Sequence, residues 1–109
     1  MSRKPESIFR DKVRKQLVLL PNSWFESIQQ RMISGTPDLL GCINVHFIGL
    51  ELKSSSGQVT PIQEYKLKQI AKAGGIAIVT NPENWDQVLD LLQHLSKGDT
   101  RVKTEVAST

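Results

Sequence analysis

Charged side chains stand at both open ends of a strongly apolar stretch, "GTPDLLGCINVHFIGLELK" at residues 35–53: Asp38 at its entrance, Glu51 and Lys53 at its exit. Successive strand side chains alternate faces, so Glu51 and Lys53 project to one side, about 6.5 to 7 Å apart, while Leu50 and Leu52 point to the other. A two-residue turn at Asn44 and Val45 sets Asp38 directly opposite Glu51, and a slip of one position in the turn moves the partner by one. Directly paired β-carbons lie about 4.5 to 5.5 Å apart, too close for two unneutralised carboxylates. A cation between them removes the conflict. Lys53 supplies part of that charge, and two hard oxygen ligands completed by water suit an octahedral Mg²⁺ or Mn²⁺. The backbone carbonyl of Leu52, between Glu51 and Lys53, is a further ligand candidate.

Two more residues are drawn in by helical spacing. Glu6 lies three residues before Phe9 and seven before Val13, which puts it on the sheet-facing stripe of a first helix. An acid there is costly unless it meets a cation or a water-filled cleft. Gln63 stands at the start of a later helix, where it either does no more than close a capping box with Thr60 or has a functional role. Each residue has a plainer explanation: Glu51 and Lys53 as a charged strand end, Asp38 as a turn residue after Pro37, Glu6 as an acid favoured by the helix dipole. The chemical reading needs the hairpin register and the helix phase to hold together.

The elements that must position these groups follow from periodicity. "PESIFRDKVRKQLVLL" reads as a helix with Phe9, Val13, Leu17 and Leu20 on one stripe, stopped by Pro21 and Asn22. "SWFESI" alternates as a first strand, and "QQRMISGTP" reads as a loop. "DLLGCI" and "VHFIGLELK" form an antiparallel hairpin, followed by the polar loop "SSSGQV". Thr60, Pro61 and Gln63 start a second helix that runs to Gly74 and Gly75, expected to form its left-handed cap. "IAIVT" has no alternation and reads as a central or well-covered strand. "NPENWDQVLDLLQHLSKG" puts Trp85, Val88, Leu89, Leu92 and Leu95 on one face of a last helix. The expected order is αβββαβα, a mixed sheet flanked by helices in one α/β domain over residues 1–97, with residues 98–109 as a loose tail.

The 109 residues suffice for one core without disulfides or metal staples. Fourteen Lys and Arg against eleven Asp and Glu give +3, and Arg3, Lys4, Arg10, Lys12, Arg14 and Lys15 concentrate the excess on the first helix. That helix is a candidate polyanion-facing element, although Lys and Arg also serve simply to solvate such a surface. Cys42, the only cysteine, excludes an intrachain disulfide and a cysteine-based zinc site, and its apolar surroundings predict a buried, inert thiol. "LVLL" is far too short to cross a bilayer, so a cytoplasmic protein with no membrane partner is expected. His46 and His94 lack metal-ligand spacing with each other and are read as ordinary side chains.

The residues "GTPDLL", "ELKSSSGQVTPIQ" and "AGGIAIV", in that order and spacing, resemble the VRR-NUC branch of the PD-(D/E)XK nuclease superfamily, notably its small stand-alone phage and bacterial members. The resemblance covers roughly residues 6–80. It implies a restriction-endonuclease-like core and a nuclease in which Asp38 and Glu51 hold Mg²⁺ or Mn²⁺. It further implies the Leu52 carbonyl as an additional ligand, Lys53 at the attacking water, Glu6 as the acid from the first helix and Gln63 at the edge of the site. Relatives of this size resemble Holliday junction resolvases, which implies a homodimer acting on branched DNA. Two rivals differ in kind: a catalytically inactive nucleic-acid-binding module on the same fold, and a nuclease for flap or linear DNA.

Overall fold

The structure, a computed structural model, describes residues 4–28 and 34–98. The expected loose tail, except for Gly98, and part of the expected loop before Asp38 lie outside the described residues. In chain order the elements are α1 (Pro5–Val18), β1 (Ser23–Ser27), β2 (Leu39–Ile43), β3 (His46–Leu52), α2 (Pro61–Lys72), β4 (Ile76–Thr80) and α3 (Trp85–Ser96). The four strands form one mixed sheet in the order β1-β2-β3-β4, antiparallel through β3 and parallel between β3 and β4.

The hairpin forms around the expected turn. Asn44 and Val45 both have positive φ, 45° and 70°, as a type I′ turn requires, and this backbone twist matches that of the flanking strands. Ile43 consequently pairs with His46 and Leu39 with Leu50. The Asn44 side chain also donates to the Leu95 carbonyl at 3.2 Å, and Asn22 donates to Ser96 at 3.1 Å. These bonds tie the hairpin turn and the start of β1 to the last turn of α3, where the Leu95 carbonyl also accepts from the Gly98 N–H at 3.0 Å.

Alternation divides the sheet into two faces. Leu39, Ile43, Ile48, Leu50, Ile76 and Ile78 join Phe9, Val13 and Leu17 of α1 and Trp85, Leu92 and Leu95 of α3 in one buried cluster. Phe9 meets Trp85 edge to face with centroids 6.3 Å apart, a favoured aromatic geometry. The opposite face carries Gly49, and α2 packs there so closely that a β-carbon on Gly49 would lie 2.9 Å from Ile70 Cδ1. The right-handed logic of a β3-α2-β4 crossover accounts for a helix on this side of two parallel strands.

Two expectations are corrected and one is narrowed. Cys42 is exposed, because its alternation phase puts it on the half of the α2 face formed by β1 and β2, in a row between its partners Trp24 and Phe47. Of the two readings of β4, central or well covered, the second holds: the strand lies at the sheet edge, yet four of its five residues, Thr80 among them, are buried. Gly74 alone, at φ 100°, supplies the left-handed conformation after α2, since Gly75 has no positive φ. No helix among the described residues is long and apolar enough to cross a membrane.

Candidate metal and phosphate site

The carboxyl-terminal end of β3 meets the entrance of β2 at the open end of the hairpin. Continuing the pairing one residue beyond Leu39 and Leu50 sets Asp38 opposite Glu51. Asp38 is held from both sides by backbone: its carbonyl accepts from the Ile28 N–H at 2.8 Å, and its Oδ2 accepts from the Leu52 N–H at 2.8 Å. Those bonds fix one carboxylate oxygen and leave the other, Oδ1, facing the Arg10 guanidinium at 3.6 Å.

Glu51 is almost wholly removed from solvent, at 3% exposure. Its Oε2 accepts from Gln63 Nε2 at 3.1 Å and lies 3.6 Å from Lys53 Nζ. Its Oε1 is buried and makes no hydrogen bond. A buried carboxylate oxygen without a partner carries a large desolvation cost. Burial, reinforced by the Asp38 carboxylate, accordingly pushes Glu51 up from 4.5 to about 7, against the opposing pull of the Lys53 ammonium.

The start of α2 reaches into this arrangement through a single amide. Gln63 Oε1 accepts from the Thr60 N–H at 2.9 Å while the Gln63 N–H donates to Thr60 Oγ1, completing a capping box. The other end of the same side chain is the Nε2 donor to Glu51. The capping box and the contact with Glu51 therefore coexist, and the cap fixes the amide orientation that offers a donor to the carboxylate.

Lys53 and Leu52 also line a cleft of about 260 Å³, together with Glu6, Phe9 and Arg10 of α1 and Ser54, Gly57 and Gln58 of the following loop. Glu6 lies at this cleft but is exposed. Among the described residues no group of three or more His, Cys, Asp or Glu is found that could hold a metal ion, and Glu6 stands at the cleft rather than in the buried pair of Asp38 and Glu51. Leu52 comes to the pair through its N–H. His94 instead contacts Asp90 one helical turn away, with Nδ1 2.7 Å from the Asp90 carbonyl oxygen, and has no place near the cleft.

The donor set that remains, two carboxylates with one oxygen each not fixed by hydrogen bonds, fits a hard divalent cation completed by water. The orphaned Glu51 Oε1 is the atom such a cation would satisfy. Arg10 is the member of the site that sequence reasoning missed. Its signal was available: it follows Glu6 by four residues, which places both on one face of α1. Comparison with protein-family models, curated proteins and solved structures finds no match.

Proposed function

We propose that the chain is a Mg²⁺- or Mn²⁺-dependent DNA endonuclease with a PD-(D/E)XK-type site, hydrolysing phosphodiester bonds in branched DNA such as Holliday junctions as a homodimer. The observation that carries this reading is the buried Glu51 Oε1, without a partner beside Asp38 and with Lys53 within 3.6 Å of the same carboxylate. A buried carboxylate oxygen without a donor calls for an ion or a water to satisfy it, and a cation-binding carboxylate offers such an oxygen.

The divalent ion, when bound, lowers the pKa of water and neutralises charge growing on the phosphate. Asp38 and Glu51 hold it. Leu52 fixes Asp38 through its N–H, and Gln63 fixes Glu51, so neither carboxylate needs reorganisation to offer its remaining oxygen. Lys53, only 17% exposed at its side chain, orients the attacking water and offsets negative charge developing in the transition state. Pairing with a copy of itself would enlarge the basic surface of the chain, which carries a net charge of +3, and present a second site to the symmetric strand.

The test is a panel of labelled four-way junction, flap, nicked, duplex and single-stranded DNAs with Mg²⁺, Mn²⁺ or chelator, using wild type and Lys53→Ala. Paired nicks on the junction, dependent on metal and reduced at least about 10²-fold by Lys53→Ala, are expected from a species of twice the 12.2 kDa chain mass. Cleavage of none of these DNAs removes the enzyme. A strict monomer that cuts only linear single strands removes the junction reading, and equal cleavage by Lys53→Ala removes the site.

A further inference from the structure

Arg10 occupies a position that a stability role alone does not explain. Its guanidinium faces Asp38 Oδ1 at 3.6 Å, longer than a bidentate Arg–carboxylate contact, and its side chain remains 37% exposed. The other Asp38 oxygen is held by a backbone N–H at 2.8 Å, so Arg10 stands at the one Asp38 oxygen that a cation would take. The same side chain lines the cleft shared with Lys53, Ser54, Gly57 and Gln58. That cleft joins two cationic side chains to a polar loop, and planar guanidinium groups match the paired oxygens of a phosphate.

We propose that Arg10 is a substrate-binding residue with two partners: it neutralises Asp38 in the metal-free protein, and, once a divalent cation occupies Asp38 Oδ1, it turns into the cleft to hold a phosphate oxygen of the DNA strand. The inference rests on the metal-dependent nuclease reading. It adds a residue that ties metal loading to substrate grip, because the guanidinium cannot serve the carboxylate and the phosphate together. Arg10 opposes metal binding when DNA is absent and strengthens DNA binding when metal is present.

The two effects have opposite signs, which a residue that only docks α1 on the sheet does not produce. Mn²⁺ titration of the DNA-free protein reads the first. Arg10→Gln removes a competitor of the strength typical of partly exposed ion pairs, so it binds Mn²⁺ about threefold to fivefold more tightly than wild type. Anisotropy with a phosphorothioate-protected four-way junction in saturating Mn²⁺ reads the second. Arg10→Gln binds about tenfold more weakly, while Arg10→Lys recovers part of the loss and keeps the Mn²⁺ affinity near that of wild type. Circular dichroism confirms that the variants are folded. Equal or weaker Mn²⁺ binding by folded Arg10→Gln overturns the assignment of Arg10 alone, as does unchanged junction affinity. Failure of wild type itself to bind Mn²⁺ overturns both this inference and the metal site on which it rests.

Discussion

Glu51 concentrates the energetic conflict of the molecule at one side chain. It is buried, faces a second carboxylate, and has one oxygen with a hydrogen-bond donor and one without. A rise from 4.5 to about 7 corresponds to about 3 kcal/mol of differential stability. The folded, metal-free protein binds more protons at this group than the unfolded chain does between those two values. Its contribution is therefore fully present below the unfolded pKa and lost as pH rises through about 7. Urea unfolding in chelator at pH 5 and pH 8 should show wild type losing about 2 kcal/mol more over that interval than Glu51→Gln, which cannot ionise. Added Mn²⁺ should restore stability at pH 8 to wild type and not to the variant. Asp38, Glu51 and Lys53 could be named from the sequence because a period of two and a short turn bring them together. Helical spacing could put Arg10 on one face with Glu6, but its contact with Asp38 depends on how α1 packs on the sheet, which the helix pattern does not encode.

At the scale of elements, the hairpin turn sets the register on which the pairing of Asp38 and Glu51 depends. Val45 adopts φ 70° although it is β-branched and 90% exposed, a conformation in which glycine carries no such penalty. Val45→Gly, which gives the preferred Asn-Gly pair, should raise stability by about 1 kcal/mol in denaturant melts and leave Mn²⁺ affinity unchanged. Loss of stability would show that the side chain contributes more than its backbone strain costs. The capping box of α2 was equally legible, because Thr60, Pro61 and Gln63 form a local signal complete within four residues. That Gln63 also grips Glu51 was not, because it depends on the close approach of α2 to β3 over Gly49.

For the whole molecule, the decisive arrangement is that one helix carries both cleft residues and surface charge. Glu6, Arg10 and Arg14 recur every four residues along α1, and Lys12 and Lys15 are exposed elsewhere on its surface. Arg14 is exposed and lies beyond the cleft, along a groove shared with β1. If DNA tracks α1 away from the cleft, Arg14→Gln should weaken binding alike for junctions of different sequence and reduce the slope of log affinity against log salt by about 1. An unchanged slope in filter-binding or anisotropy titrations would direct the strand elsewhere. The sequence by itself determined the order of elements, the hairpin register and the cap of α2, because each rests on periodicity or turn chemistry between near neighbours in the chain. Only the tertiary structure decided that Cys42 faces outward, that β4 is a covered edge, that Glu6 stays exposed and that Arg10 meets Asp38. Those outcomes depend on which helix covers which face and on distances across the fold. Burial and Coulomb interaction act through that space, irrespective of position along the chain.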